Sequence, residues 1–137
     1  MTAFVDTSAF YAAADRGDVN CERAMVLIAA EDRVVTSDHV LVETWSLLKS
    51  RLGHAPAERF WDGVRSSALA IEHVGPADLE SAWATGEIFA DQGFSIVDRT
   101  SFAVMQRLGV YRAVSFDVDF AIFRFGPRRE RAFEVLR

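Results

Sequence analysis

The chain opens with Ala3-Phe4-Val5-Asp6-Thr7-Ser8, a stretch in which an apolar run changes abruptly to polar residues. A short apolar run bounded by polar residues is typical of a buried strand, and Thr7 or Ser8 is a suitable N-cap for a following helix. Asp6 is therefore expected at the carboxyl end of that strand. A strand that passes directly into a helix indicates an α/β protein.

The same alternation continues along the rest of the chain. Hydrophobic spacing and capping residues predict helices over Val19–Ala30, from Ser37 or Asp38 to Gly53, from Pro56 through Val64, from Pro76 towards Gly93, and over Asp98–Leu108. Further strands are predicted over Arg33–Thr36, Leu69–Ile71, Tyr111–Phe116 and Ala132–Leu136. Such alternation predicts a mainly parallel sheet with helices on both faces, and active groups gather beyond the carboxyl ends of its strands. No repeat or interior linker is evident, so we expect residues 1–137 to form a single domain.

Length and composition exclude several classes of protein. Half of the 137 residues are apolar, which is enough for one hydrophobic core and unlike a disordered chain. The longest apolar run, Ala24–Ala30, is far shorter than the roughly 20 residues that cross a bilayer. Cys21 is the only cysteine, which excludes an internal disulfide and a cysteine zinc site. With no basic residue before Arg16, the start does not resemble a secretory signal, so we expect a cytoplasmic protein without a membrane partner.

The charge is unevenly distributed along the chain. A net charge of −5 argues against binding nucleic acid through bulk electrostatics. The last 14 residues, Arg124–Arg137, nevertheless contain five arginines and two glutamates, a net charge of +3, which leaves −8 for everything before them. This basic segment is explained equally well by solubility and by contact with an anionic partner.

Four acidic residues occupy positions that solvation alone does not explain. Asp6 and Asp117 each follow an apolar strand, so both are expected at one edge of a parallel sheet. Val40 and Leu47 flank Glu43 at helical spacing, which predicts a carboxylate on a buried face that needs a partner. Asp98 begins a helix whose apolar residues follow on the same side.

Each acid also has a structural explanation when it is taken alone. Asp6 could cap a helix, Asp98 could interact with a helix dipole, and Asp117 could belong to a turn. Glu43 could form an ion pair with an arginine. If the four converge, however, their mutual repulsion must be offset by a cation, and oxygen ligands favour Mg²⁺ or Mn²⁺. An ion in such a site could support hydrolysis of a phosphodiester.

The acidic residues lie in motifs that resemble those of PIN-domain nucleases, and among them the VapC-type toxins of bacterial toxin–antitoxin pairs. The resemblance extends over essentially the whole chain. The matching stretches, in the family's order, are Phe4-Val5-Asp6-Thr7-Ser8, Val42–Leu48, Ser95–Met105 and Ser115-Phe116-Asp117-Val118-Asp119-Phe120. Family members commonly have threonine at the position of Ser115, a change that preserves the hydroxyl. Asp119 fits the pattern as well as it fits a simple turn.

The resemblance implies a three-layer α/β sandwich, a Mg²⁺-dependent ribonuclease that acts on RNA, and inhibition by a cognate antitoxin protein. It implies a catalytic set of Asp6, Glu43, Asp98 and Asp117. Asp6 and Asp98 would hold the ion, Asp117 would join directly or through water, and Glu43 would orient the attacking water or assist a second ion. A homodimer or a toxin–antitoxin hetero-oligomer is expected, with RNA bound by a local rim that carries arginine.

Other functions remain open at this point. A phosphatase that uses Asp117-Val118-Asp119 would need that motif near the start of a domain, and a phosphoryl-accepting receiver domain would need a lysine after a late strand, whereas Lys49 lies within a helix. A non-catalytic scaffold whose acidic pocket receives a partner's arginine is the main alternative. Three tryptophans at helical apolar spacing favour core or dimer packing over base stacking: Trp45, Trp61 and Trp83.

Overall fold

The computed structural model describes all residues, 1–137, as five strands and seven helices. In chain order they are β1 (Thr2–Val5), α1 (Thr7–Ala14), α2 (Cys21–Ala29), β2 (Arg33–Ser37), α3 (Asp38–Leu52), α4 (His54–Arg65), β3 (Ala70–Glu72), α5 (Pro76–Ile88), α6 (Ile96–Leu108), β4 (Arg112–Val114), α7 (Asp119–Ile122) and β5 (Glu134–Leu136). None of these helices is both long and apolar enough to serve as a membrane span.

The strands form one sheet in the order β3-β2-β1-β4-β5, and every neighbouring pair is parallel. From β1 the chain moves outward through β2 to β3, and it then returns to the other side of β1 to form β4 and β5. The direction of winding therefore reverses between β1 and β4. In sheets of this kind, ligands bind beyond the carboxyl ends of the strands at such a reversal.

Helices cover both faces of the sheet. Because parallel crossovers are right-handed, the two opposite directions of winding place α1–α4 on one face and α5–α7 on the other. The three-layer α/β sandwich and the parallel sheet are thus confirmed. The core beneath α6 is aromatic, with Phe102 stacked on Phe123 at a centroid distance of 4.2 Å and packed edge-on against Phe120.

Several predicted boundaries were wrong. The N-cap of α1 is Asp6, whose side chain accepts a hydrogen bond from the Ser8 amide, and neither Thr7 nor Ser8 takes that role. Helix α6 begins two residues before Asp98 because Ser95 caps it. The strand expected over Tyr111–Phe116 is limited to β4, since the chain beyond it turns into the loop before α7.

The tryptophans do not belong to the core. Trp83 is 66% exposed on α5 and Trp61 is 42% exposed on α4, while Trp45 is half-buried against His54. The spacing of apolar residues identified the amphipathic helices correctly. Apolar residues on the flank of a helix, however, recur at nearly the same spacing as those of its buried face, so spacing alone does not separate the two. Core packing is therefore wrong for Trp61 and Trp83, and the alternative of dimer packing stays a prediction.

The segment between α7 and β5 runs from the carboxyl edge of the sheet back to its amino edge. Phe125 and Arg131 exchange backbone hydrogen bonds of 3.0 and 3.1 Å and close a hairpin. Phe125 stacks on Tyr111, the residue before β4, with ring centroids 5.3 Å apart. The base of this hairpin therefore lies at the amino edge of the sheet, the edge at which the strands begin.

Candidate active site

The carboxyl edge of the sheet brings four aspartates together where the winding reverses. Asp6 directly follows β1, and the loop after β4 supplies Asp117 and Asp119. Asp98 enters from the first turn of α6. Carboxylate oxygens of Asp98, Asp117 and Asp119 lie within 4.8 Å of one another. The structure thus brings Asp6, Asp98 and Asp117 to one edge of the sheet, as the sequence predicted, and adds Asp119; their catalytic and metal-binding roles stay a prediction.

Two serines hold the carboxylate of Asp6 in one orientation. Ser8 Oγ donates to Asp6 Oδ2 at 2.7 Å, and Ser115 Oγ donates to the same oxygen at 2.8 Å. Asp6 Oδ1 takes no hydrogen bond from a side chain. Because one carboxylate oxygen is fully engaged, the other is free to bind a cation.

The same serines fix the loop that follows β4. Ser8 Oγ accepts from the Phe116 amide at 2.9 Å, and Ser115 Oγ accepts from the Asp117 amide at 3.0 Å. Asp117 Oδ1 then accepts from the Asp119 amide at 2.9 Å, at the start of α7. Hydrogen bonds therefore connect Asp6 to Asp117, and Asp117 to Asp119, without a gap.

The cluster carries more negative charge than the protein neutralises. Burial, and after it the charges of the neighbouring carboxylates of Asp117, Asp6 and Asp119, together raise the pKa of Asp98 to about 8. Burial also raises the pKa of Asp6, against the opposing effect of the two serine hydroxyls. Burial and the charge of Asp117 raise the pKa of Asp119, which shares a hydrogen bond with Asp98. No arginine, lysine or histidine forms an ion pair with any of the four.

Glu43 lies outside this cluster. Its side chain is half-buried and has no hydrogen bond or ion pair, so the expectation of a buried carboxylate with a partner was wrong. The flank of α3 that carries Glu43 also carries His39, whose Nδ1 lies 3.4 Å from Thr100 Oγ1 on α6. Glu43 therefore faces the side on which α6 brings Asp98, although it does not touch the aspartates.

Sequence reasoning missed the part played by Ser8 and left that of Asp119 undecided. The signal for Ser8 was its position two residues after Asp6, because a hydroxyl at that spacing can bond back to an aspartate that caps a helix. The signal for Asp119 was its two-residue spacing from Asp117, which also suits an Asx-turn. The structure combines both readings, since the turn itself aims the second carboxylate at Asp98.

The donor set of this site fits a hard divalent cation. All of its ligand atoms are carboxylate oxygens, and they lie close enough for one ion to reach three of them. A divalent charge would offset the repulsion that raises the pKa of Asp98. Such a site can bind a phosphate oxygen and a water side by side, as hydrolysis of a phosphodiester requires.

Comparisons with known proteins agree with this geometry. A family model described as PIN domain matches residues 3–126. The 23S rRNA-specific endonuclease VapC20 of Mycobacterium tuberculosis is 43% identical over 124 residues, which cover 89% of this chain and 94% of the relative.

Solved structures support the same likeness. The crystal structure of VapC20 from Mycobacterium tuberculosis, described as a sarcin-ricin loop cleaving toxin, superimposes with a TM-score of 0.83 at 38% identity and covers 89% of this chain and 94% of that one. VapBC2 from Rickettsia felis, crystallised with a DNA fragment from its promoter, has a TM-score of 0.66 at 14% identity and covers 98% and 97% of the two chains. This second likeness shows a shared fold alone.

Proposed function

The chain belongs to the PIN-domain family and within it to the VapC-type toxins, and from that premise we propose that it is a Mg²⁺-dependent endoribonuclease. The observation that supports the proposal most is the group of three carboxylates, Asp98, Asp117 and Asp119, at the reversal of winding. The fold holds these carboxylates close together without a basic side chain beside them. Their mutual repulsion lowers the stability of the protein unless a metal ion binds.

In this proposal Asp6, Asp98 and Asp117 hold the ion, with Asp119 beside them. A bound Mg²⁺ would lower the pKa of a coordinated water and stabilise charge on the leaving oxygen, and Mn²⁺ is a plausible substitute. The Asp98 carboxyl, whose pKa is about 8 without metal, would have to release its proton to serve as a ligand. Ser8 and Ser115 both donate to Asp6 Oδ2, which would leave Asp6 Oδ1 as the ligand atom.

Glu43 has a different role from the aspartates. It has no partner and lies on the flank of α3 that faces α6. We assign it to orienting the attacking water, because a carboxylate that is neither paired nor engaged with metal can accept a proton from that water.

The substrate in this proposal is RNA, as for the relative named as a 23S rRNA-specific endonuclease. Sequence-specific contacts to RNA are made mostly in loops and ends, where bases are unstacked. The relative described as cleaving the sarcin-ricin loop also acts on a loop. We therefore expect an exposed RNA loop as the cleaved element.

The proposed partner is a cognate antitoxin protein. A segment of that partner carrying arginine would neutralise the aspartates and exclude the metal ion and the substrate phosphate. The chain would act as a homodimer or within a toxin–antitoxin hetero-oligomer, with residues 1–137 as one nuclease domain. A ribonuclease toxin acts where its RNA is made and used, so the proposal places the chain in the cytoplasm.

Mapping of RNA ends tests this function. Purified protein is incubated with folded ribosomal RNA in Mg²⁺ or in EDTA, and the ends that appear are sequenced. The proposal predicts a small number of new internal ends that require Mg²⁺ and are absent with the Asp98→Asn variant. Asp62→Asn, a change at an exposed aspartate on α4, is the matched control and should cleave like wild type. Cleavage that persists in EDTA, or with Asp98→Asn, would overturn the proposal.

A further inference from the structure

The hairpin at residues 125–131, here called the arginine hairpin, concentrates positive charge in an acidic protein. It contains Arg128, Arg129 and Arg131 with a single glutamate, whereas the whole chain has a net charge of −5. Arg128 and Arg129 are exposed at its tip. Arg129 has a φ of 51°, in the left-handed region, which fixes the direction of the chain at the tip.

The guanidinium groups of these arginines have no acidic or hydrogen-bonding partner within the protein. None of the three side chains forms a hydrogen bond or an ion pair. By contrast, Arg107 is paired with Asp78 and Glu72, and Arg112 with Glu31 and Glu134. The arginine hairpin therefore holds cations that no acidic residue of the protein neutralises through an ion pair.

Arg131 is held in a defined pose. Its guanidinium lies 4.4 Å from the ring centroid of Tyr111 and 4.9 Å from that of Phe125. A guanidinium stacked on aromatic rings keeps its N–H edges free, and those edges match the oxygen pair of a phosphate. Little side-chain entropy remains to be lost on binding an anion, which favours recognition at this position.

The position of the arginine hairpin separates it from the acidic site. Its base lies beside Tyr111 at the amino edge of the sheet, whereas the aspartates follow β1 and β4 at the carboxyl edge. Four residues of β1 span about 13 Å between the two edges. A phosphate at the arginine hairpin and the scissile phosphate at the acidic site are therefore different phosphates of a bound RNA.

We propose that the arginine hairpin is a second RNA-contact surface, which binds backbone phosphates of a folded RNA while another part of that RNA lies at the acidic site. This inference rests on the proposed ribonuclease function. Unpaired arginines favour phosphates, because each phosphate carries a full charge and accepts two parallel hydrogen bonds. The contact would recognise backbone and shape, so it would favour folded RNA over short single strands.

Salt-dependent binding of RNA tests the second surface. The Asp98→Asn protein, which keeps the RNA intact, is titrated with a stem–loop RNA of about 30 nucleotides and, as the short single strand, with a dinucleotide, whose one phosphodiester cannot occupy both edges of the sheet. In that background, the paired change Arg128→Ala and Arg129→Ala should reduce affinity for the stem–loop about tenfold and reduce the slope of log K against log salt by about 1.5. Affinity for the short strand should not change, because that strand reaches only the acidic site.

A matched control removes the same charge from another surface. Arg16 and Arg65 are exposed on the face covered by α1–α4, and their paired change to alanine should leave both affinities near the starting value. Circular dichroism at increasing temperature checks that each variant folds. The inference is overturned if the control reduces stem–loop binding equally, if the slope is unchanged by the hairpin variant, or if short-strand binding falls too.

The same set of measurements separates this inference from the proposed function. If the wild-type protein in Mg²⁺ does not cleave the folded ribosomal RNA of the mapping experiment, the proposed ribonuclease function itself is wrong. If cleavage occurs and the hairpin variant binds both RNAs like its parent, the ribonuclease stands and the second surface is wrong. If the hairpin variant keeps its RNA affinity but binds a protein antitoxin more weakly, the second RNA surface is also wrong. The hairpin would then be assigned to the antitoxin.

Discussion

At the scale of single residues, the site depends on which oxygen of each carboxylate is already engaged. Ser8 and Ser115 both donate to Asp6 Oδ2, and Asp117 Oδ1 is engaged by the Asp119 amide. These bonds fix the orientation of the Asp6 and Asp117 carboxylates and leave the second oxygen of each without a side-chain donor. The residues that orient the proposed metal ligands are therefore part of the proposed site.

Two measurements on a Ser8 variant distinguish a role in metal binding from a purely structural role. Ser8→Ala removes a donor to Asp6 and the acceptor of the Phe116 amide. We expect Mn²⁺ affinity, measured by calorimetry, to fall about tenfold. The free energy of unfolding should fall by about 1 to 3 kcal/mol. Ser46→Ala, on an exposed position of α3, is the control and should change neither quantity. Lower stability with unchanged Mn²⁺ affinity would leave Ser8 only a structural role.

The raised pKa of Asp98 predicts how stability depends on pH without metal. Its folded pKa of about 8 lies above the ordinary 3.8, so the folded protein keeps a proton that the unfolded chain releases. The free energy of unfolding should therefore fall as pH rises from about 4 to about 8, by an amount on the order of 3 kcal/mol. Asp38 and Asp78 have lowered pKa values and act in the opposite direction only below about pH 4.

Urea unfolding in EDTA at several pH values checks this dependence. Asp98→Asn should flatten the curve between pH 5 and about 8, because the amide does not titrate. Saturating Mg²⁺ should also reverse the slope for wild type, since ion binding requires the deprotonated carboxylate. A stability that is level, or that rises with pH in EDTA, would contradict the assigned direction.

At the scale of elements, α3 and α6 place their acidic residues at different distances from the acidic cluster. Helix α6 places Asp98 in contact with the other aspartates, whereas α3 keeps Glu43 apart and without a partner. Glu43→Gln should therefore lower turnover at saturating Mg²⁺ about 10- to 100-fold, with Mn²⁺ affinity and melting temperature close to wild type. If Glu43→Gln instead weakens Mn²⁺ binding as strongly as Asp98→Asn, Glu43 belongs among the ligands.

The elements also show what the sequence could predict. The strand end at Asp6 was recognised because a short apolar run with a polar end is a local pattern, whereas Asp117 lies in the loop beyond the end of β4. The pairing order of the strands, and hence the reversal beside β1, depends on long-range packing that no local pattern records. The burial of Glu43 was predicted wrongly for a related reason. Its spacing from Val40 and Leu47 does not tell which flank of α3 is covered by other elements.

At the scale of the whole molecule, the acidic cluster and the arginine hairpin lie at opposite edges of the sheet. The carboxyl edge holds the aspartates, and the arginine hairpin lies at the amino edge. The C-terminal segment looked uniformly basic in sequence, but the structure divides it, with Arg137 following β5 at the carboxyl edge. That division could not be read from a count of charges.

Antitoxin binding should compete with metal at the acidic edge. If a partner arginine enters the cluster, saturating Mg²⁺ should weaken antitoxin binding, and Asp98→Asn should reduce this competition. Because apolar contacts elsewhere also hold such complexes, we expect the loss to be modest, about three- to tenfold by calorimetry. Antitoxin affinity that is indifferent to Mg²⁺ and to the substitution would indicate inhibition at a distant surface.

The central claim is that the clustered aspartates bind the ion that makes RNA cleavage possible. Its most direct test is the single-turnover cleavage rate measured against Mg²⁺ concentration for wild type, Asp98→Asn and the Asp62→Asn control. We predict that wild type and Asp62→Asn follow one saturable curve that falls to zero in EDTA. Asp98→Asn should lose at least about 100-fold in rate at every Mg²⁺ concentration. A wild-type rate independent of Mg²⁺, or an Asp98→Asn curve that coincides with wild type, would contradict the claim.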